Sequence, residues 1–169
     1  MKMKRGMPVI VDTNVPITAN QKAQDDLPCA DRCANELLKI TKDGTLLIDE
    51  GNLIFDEYKK HLNFSGQPGP GDVFFKWLAD NRYNSNFVLK IRLEPVNNCQ
   101  GQFAAFPADP DLQAFDPADR KFVALARSHP DCPEILNATD RDWWDFQEAL
   151  QWNHVRVRHL CGTERFQRR

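Results

Sequence analysis

The chain has no long apolar run, no CxxC pair and little excess charge of one sign. Its 169 residues carry a formal net charge of −2, and no stretch approaches the roughly 18 apolar residues of a membrane helix. The first six residues are basic and lead into a short strand-like run, unlike the apolar region of a signal peptide. We therefore expect one globular, cytoplasmic protein without a membrane partner.

Several catalytic motifs are also missing. The sequence contains no glycine-rich phosphate loop, no HExxH and no GxSxG, which argues against a P-loop nucleotidase, a zinc protease and a serine hydrolase. The four histidines are scattered along the chain without an evident triad partner. A side-chain nucleophile activated by histidine is therefore not expected.

Five cysteines form an odd set whose spacing matches no disulfide framework. We expect free, buried thiols. Cys29 and Cys33 lie four residues apart on a predicted helix and could hold a metal together with His61. However, no zinc-type spacing completes that site.

Strand and helix patterns alternate along the chain, which predicts a three-layer α/β/α sandwich around a mostly parallel sheet of about five strands. The predicted strands are 7–11, 45–48, 87–93, 134–138 and 154–160. The predicted helices are 30–40, 52–62, 72–82, 116–128 and 143–151. Residues 1–169 are expected to form a single domain. The region of about 64–110, which starts and ends in glycine-, proline- and asparagine-rich loops, is interpreted as an enlargement of it.

Four acidic residues stand at the ends of predicted strands or within predicted helices: Asp12, Glu57, Asp119 and Asp140. The carboxyl ends of parallel strands are where open α/β sheets place their ligands. Carboxylates gathered there repel by roughly 4 kcal/mol per pair at about 4 Å and an effective dielectric near 20. Mg²⁺ or Mn²⁺, which prefer hard oxygen ligands, would offset this repulsion. The pattern therefore predicts a metal-dependent nuclease.

Each acid also has a structural interpretation. Asp12 could cap the turn that follows it, and Glu57 could be an ordinary surface residue of a helix. Asp119 stands at the third position of a helix start in which Asp116 is the N-cap. One of the pair Asp140 and Asp142 is expected to face the cleft, since both follow a strand.

Four segments together resemble the PIN-domain family of metal-dependent ribonucleases: VIVDTNVPI at 9–17, DEYKKHL at 56–62, DPADRKFVALA at 116–126 and NATDRDWW at 137–144. The resemblance implies that the four acids are catalytic metal ligands. It makes Asp142 an auxiliary ligand and Asn14 a helper. The family often has Thr or Ser where Ala138 stands here, so Thr139, beside it, is the candidate for that auxiliary hydroxyl.

The resemblance implies hydrolysis of RNA phosphodiester bonds with Mg²⁺ or Mn²⁺. Many family members are toxins, so the resemblance also raises a toxin role as an expectation, with an antitoxin protein and a homodimer as partners. From the residues themselves, Lys90, Arg92 and Arg82, with Tyr83 or Trp77, could form a basic, aromatic surface for single-stranded RNA. An ordinary polar strand face is the alternative.

Two other functions stay open at this stage. A non-catalytic nucleic-acid or partner-binding module would keep the same scaffold. A phosphatase with an aspartate nucleophile would have an Asp at the end of the first strand, as here, but would also need a second one two residues later, where Asn14 stands.

Overall fold

The computed structural model describes residues 6–21, 26–97 and 101–168. It contains five strands, each of which overlaps a predicted strand. They are β1 (Ile10–Val11), β2 (Leu46–Asp49), β3 (Val88–Ile91), β4 (Ile135–Asn137) and β5 (Val157–His159). All strand pairs are parallel, which confirms the α/β class and the parallel pairing.

The strands form two sheets, whereas the sequence predicted one of about five strands. The first sheet has the order β1-β4-β5 and the second pairs β2 with β3. One parallel bridge, Val9 to Leu46, joins them. At this junction the Val9 amide donates to the Thr45 carbonyl at 3.0 Å, and the Leu47 amide donates to the Val9 carbonyl at 2.9 Å. Because β1 has only two residues, there is little backbone to form a longer ladder.

Eight α-helices lie in the described part of the chain. They are α1 (Asn14–Ala19), α2 (Leu27–Asp43), α3 (Leu53–His61), α4 (Pro70–Asn81), α5 (Arg120–Ser128), α6 (Asp142–Asp145), α7 (Gln147–Trp152) and α8 (Glu164–Gln167). In that part of the chain no helix is long and apolar enough to cross a membrane. The predicted helix 143–151 is divided at Phe146 into α6 and α7.

Helix α1 was not predicted, because the segment 14–19 is rich in β-branched residues and contains Pro16. In the structure Pro16 is the third residue of the helix. The N–H groups of a first turn have no partner within the helix, so a proline there costs little. Helix α1 carries the chain away from the end of β1.

The region 64–110 contributes to the core. It supplies α4, which packs against α1 and α2, and β3, which extends β2. Phe74, Phe75 and Leu78 of α4 are fully or almost fully buried. The enlargement therefore shares one hydrophobic core with the rest of the chain.

The prediction of free thiols was wrong for two cysteines. Cys29 in α2 and Cys161, 132 residues later, form a disulfide with a Cα–Cα distance of 4.9 Å. No local spacing could show a pairing over that distance. Cys33 is buried and free, as expected, whereas Cys99 lies outside the described residues. His61 ends α3 and belongs to no metal-ligating group in the described residues.

Candidate metal centre

Three of the predicted acids converge at the carboxyl ends of β1 and β4. Asp12 follows β1 directly, and Asp140 comes three residues after β4. Asp119 ends a 3-10 turn that leads into α5. Each of the three offers a carboxylate oxygen within 4.8 Å of the others. Asp12 and Asp140 converge because parallel strands end at the same edge of a sheet, and the start of α5 brings Asp119 to them.

A second group of carboxylates shares one member with the first. Asp116, Asp119 and Asp142 also offer oxygens within 4.8 Å of one another. The side chain of Asp116 is the N-cap of the turn and accepts from the Ala118 amide at 2.9 Å. The side chain of Asp119 makes no capping bond. Capping therefore falls to Asp116, and the carboxylate of Asp119 is left to the cluster.

Asp12 is held on both oxygens and is only 3% exposed. Its Oδ1 accepts from the Asn14 amide at 2.9 Å, and its Oδ2 accepts from the Trp143 indole at 2.7 Å. Burial is the main cause that raises the pKa of Asp12 to about 6. The two hydrogen bonds lower it, and the charges of Asp140 and Glu57 add to the rise. Trp143 is fully buried, so it both packs in the core and orients the carboxylate of Asp12.

Asp119 is the most strongly perturbed acid of the cluster. The pKa of Asp119 is raised to about 9, first by burial and then by the negative charges of Asp12, Asp140 and Asp116, while the charge of Lys121 lowers it. The pKa of Asp142 is raised too, first by burial and then by neighbouring carboxylates. In the metal-free cluster Asp119 therefore retains at neutral pH a proton that a divalent cation would displace.

Glu57 lies beside the three-aspartate cluster and does not belong to it. Its Oε2 forms an ion pair with the ammonium of Lys121, and its Oε1 accepts from the Thr13 hydroxyl at 2.6 Å. Lys121 also donates to the carbonyl of Ala118. We had expected Glu57 as a ligand equal to the others. Instead, Glu57 is paired with Lys121, a buried cation of α5 that was not predicted from the sequence to lie at the site.

Two asparagines fix the loop that carries Asp140. The Asn14 side chain donates to Asn137 Oδ1 at 2.9 Å, and its own oxygen accepts from the amides of Ala138 and Thr139 at 2.8 and 3.1 Å. Asn137 is fully buried. Its side-chain nitrogen donates to the carbonyl of Asp140, and its side-chain oxygen accepts from the amide of Asp140. Asn14 is therefore a positioning residue, whereas Thr139 is exposed and takes part through its backbone.

The predicted RNA-binding residues differ in their surroundings: Arg82 follows α4, Lys90 lies in β3 and Arg92 comes directly after it. The Arg82 guanidinium lies 4.4 Å from the ring centroid of Phe55 and 4.8 Å from that of Tyr83. Lys90 lies 4.2 Å from the Tyr83 centroid. Arg92 instead pairs with Glu94 at 2.8 Å. Trp77 stacks on Phe74 and packs with the core.

The donor set suits a hard divalent cation, because every converging group is a carboxylate oxygen. Five aspartates form the two overlapping groups, with Glu57 and the buried Lys121 beside them, so the site is short of positive charge in the described part of the chain. Asp116 and Asn137 were missed as site residues. The DxxD spacing of 116–119 and the asparagine that ends β4 were the signals available.

Comparisons with family models, with curated proteins and with solved structures found no match.

Proposed function

We propose that the chain is a PIN-like, metal-dependent endoribonuclease. The observation that carries this proposal is the convergence of Asp12, Asp119 and Asp140, whose oxygens lie within 4.8 Å of one another. The strands and helices that bear these acids occur in the order that the family resemblance implies. The proposal includes one PIN-like domain over residues 1–169, with an enlarged region at about 64–110.

The finer architecture belongs to the same proposal. The two sheets would act as the middle layer of a three-layer sandwich, an arrangement supported by the bridge between Val9 and Leu46. Helix α5 packs against both β2 and β4, so it spans the junction of the sheets. This position is what brings Asp119 to the end of β1.

Asp12, Asp119 and Asp140 would hold Mg²⁺ or Mn²⁺, with Asp142 and Asp116 beside them. The ion would provide a water nucleophile at neutral pH and offset charge on the phosphate. Trp143 and Asn14 keep Asp12 in place, while Asn14 and Asn137 hold the loop of Asp140. Lys121 pairs with Glu57, so this acid orients Thr13 and α5 and its repulsion of Asp12 is partly offset. The residues thus preorganise a cation site.

RNA is the proposed substrate, and Arg82 and Lys90, which both lie at the ring of Tyr83, are its proposed contacts. Neither has an ion-pair partner within 4.0 Å in the part of the chain described. Tyr83 beneath them is 79% exposed. Arg92 contributes less, because Glu94 already neutralises it. The double substitution Arg82→Ala/Lys90→Ala should weaken RNA binding more than Arg92→Ala does.

The family resemblance adds an antitoxin protein and a homodimer as partners to be tested by co-purification and by light scattering. A cytoplasmic location is part of the proposal. In that compartment glutathione and thioredoxin keep thiols reduced, so the disulfide of Cys29 and Cys161 is expected in the protein after purification in air and not in the cell.

A nuclease assay tests the function. The protein is incubated with single-stranded and with structured RNA in Mg²⁺, in Mn²⁺ and in EDTA. We expect cleavage with either metal and none in EDTA, and we expect Asp12→Asn to remove it. The matched control is Asp145→Asn, an exposed acid paired with Arg141 outside the cluster. Cleavage that persists in EDTA, or that Asp12→Asn leaves intact, would refute the proposal.

The structure bears on the two alternatives as well. An aspartate-nucleophile phosphatase needs an acid at position 14, and here Asn14 uses both ends of its amide to hold the loop 137–139. Trapping with a phosphate mimic would separate this function from hydrolysis of RNA. A non-catalytic module would bind RNA without cleaving it, and the assembled acid cluster favours the enzyme.

A further inference from the structure

A groove of about 550 Å³ opens at the carboxyl end of α3. Its wall is made by the last turn of α3, by the end of α1 and by the loop that leads to α4. Three consecutive basic residues, Lys59, Lys60 and His61, line it together with Phe64. The groove lies apart from the carboxylate cluster and has no part in holding the acids.

Positive charge in the groove is not neutralised. Neither Lys59 nor Lys60 has an acidic partner within 4.0 Å among the described residues. Asp72 is the only acid among the described lining residues, and it is 3% exposed. Its two oxygens accept from the amides of Asn63 and Gly69 at 2.7 and 2.9 Å. The groove therefore offers cations to an anionic ligand.

An aromatic ring lies next to these cations. Phe64 is 44% exposed, and the ammonium of Lys59 lies 5.5 Å from its ring centroid. Phe75 and Phe55 support the ring from the core side, at centroid distances of 4.8 and 6.1 Å. A cation beside a fixed, accessible ring suits a ligand that carries both a phosphate and a flat base.

Two helices connect the groove to the carboxylates. Lys60 and His61 follow Glu57 by three and four residues on α3, so they lie on the same face, about 6 Å further along the axis. Helix α1 starts at Asn14 beside the acids, and Asn20 at its other end lines the groove, about 9 Å away. The groove thus begins within about two helical turns of the candidate metal centre.

The floor of the groove is preformed. Asn20 Oδ1 accepts from the amides of Gly71 and Asp72 at 2.7 and 3.3 Å. A Cβ atom at Gly71 would meet the Pro16 carbonyl oxygen at 2.1 Å, so only glycine allows the loop to approach α1 this closely. A ligand would therefore bind without reordering the backbone.

We propose that this groove holds the single strand of RNA next to the phosphate that is cleaved, with Lys59 and Lys60 on its phosphates and Phe64 against an unpaired base. The inference rests on the proposed function, because that function supplies the reason for a nearby strand. A duplex would not present a base to Phe64, since its bases are stacked and paired.

The test measures binding of a fluorescein-labelled, 12-nucleotide single-stranded RNA by anisotropy over a series of KCl concentrations in EDTA. All variants are made in the Asp12→Asn background, which prevents cleavage. We expect Lys59→Ala/Lys60→Ala to weaken binding about tenfold or more and to reduce the salt slope by about 1.4. The matched control, Lys39→Ala/Lys42→Ala on α2, removes the same charge and should change neither quantity.

A second probe separates base from phosphate. Phe64→Leu should weaken binding of the RNA at least about fivefold and leave binding of inorganic polyphosphate unchanged. Lys59 and Lys60 also stand at the end of a helix, where cations stabilise it, so the melting temperature of each variant is recorded. If the alanine pair unfolds α3, Lys59→Gln/Lys60→Gln replaces it.

The outcomes distinguish this inference from the proposed function. If the two lysine pairs have equal effects on RNA binding, the groove does not hold RNA, whether or not the protein cleaves it. If Lys59→Ala/Lys60→Ala alone weakens binding but the unmodified active site never cleaves RNA in Mn²⁺, the groove stands and the nuclease does not.

Discussion

Lys121 of α5 and Glu57 of α3 form an ion pair at the border of the aspartate cluster, with side chains that are 10% and 25% exposed. Because Lys121 pairs with Glu57, we propose that the cation binds to Asp12, Asp119 and Asp140 rather than to Glu57. Glu57 is paired with a cation, whereas in the described part of the chain no ion pair within 4.0 Å forms with Asp12, Asp119 or Asp140. The crowding of the three unmatched aspartates is the basis of the predictions that follow.

Removal of Lys121 should lower the stability of the metal-free protein. We expect Lys121→Met to destabilise the metal-free protein by about 3 kcal/mol, because it leaves a largely buried glutamate without its partner. Thermal melts in EDTA measure the loss. The double variant Lys121→Met/Glu57→Gln should recover most of it, since no unpaired charge remains. Equal stability of the double and single variants would show that the pair has no such role.

Asp119 should make the metal-free protein less stable as pH rises. At low pH both the folded and the unfolded chain carry the proton. Between the ordinary aspartate pKa of 3.8 and the folded pKa of about 9, only the folded chain keeps the proton, so the free energy of unfolding falls with rising pH. Asp119→Asn should flatten this slope and raise the melting temperature above neutral pH. Melts in EDTA between about pH 5 and about pH 9 measure both effects.

A structural role for Asp119 would give a different result. If capping were its main contribution, Asp119→Ala would lower the melting temperature at every pH, whereas Asp119→Asn, which keeps a good capping side chain, would change neither the melting temperature nor the slope of the unmodified protein. Added Mn²⁺ should stabilise the unmodified protein more at high pH than at low pH, because the ion competes with protons for the cluster. Asp119→Asn should show little of this gain.

Trp143→Phe should shift the pH dependence of activity. The substitution keeps an aromatic ring among Phe115 and Phe122 but removes the indole donor to Asp12. Without this hydrogen bond the pKa of Asp12 should rise, so the activity profile moves to higher pH and the folded state loses about 2 kcal/mol. Trp144→Phe is the control, since Trp144 stacks on Phe166 outside the cluster. Identical profiles for both variants would contradict the role of Trp143.

The disulfide can be tested by peptide mapping under non-reducing conditions. We expect a linked pair of peptides that contain Cys29 and Cys161, together with alkylated Cys33. Closing a loop of this length constrains the unfolded chain by about 5 kcal/mol, so reduction should lower the melting temperature. In Cys29→Ser the bridge should move to Cys33, whose sulfur lies 3.8 Å from that of Cys161. Alkylation of Cys29 and Cys161 in the unreduced protein would contradict the pairing.

The sequence predicted the strands well because each is a short apolar run between loop residues, and periodicity reports burial directly. The end of β1 at Asp12 and the N-cap at Asp116 followed from local patterns. Helix α1 could not be predicted from local patterns. Its β-branched residues and Pro16 favour extended structure, and packing against α2 and α4 stabilises the helix. Local preference was overridden there by tertiary contacts.

Long-range pairings were beyond local patterns. Nothing near Glu57 indicates that Lys121, 64 positions further on, would neutralise it, and nothing near Cys29 points to Cys161. The indole bond from Trp143 to Asp12 spans 131 residues. Such contacts depend on how α3, α5 and α6 meet around β1. These long-range contacts give different roles to acids that look equivalent in the sequence.

The central claim is that Asp12, Asp119 and Asp140 share a divalent cation. Titration of the metal-free protein with Mn²⁺, followed by the electron paramagnetic resonance signal of the free ion, tests it most directly. We expect saturable binding that Asp140→Asn weakens at least about tenfold and that Asp145→Asn leaves unchanged, because only the first variant removes a ligand. Equal binding by the two variants, or no saturable binding by the unmodified protein, would contradict the claim.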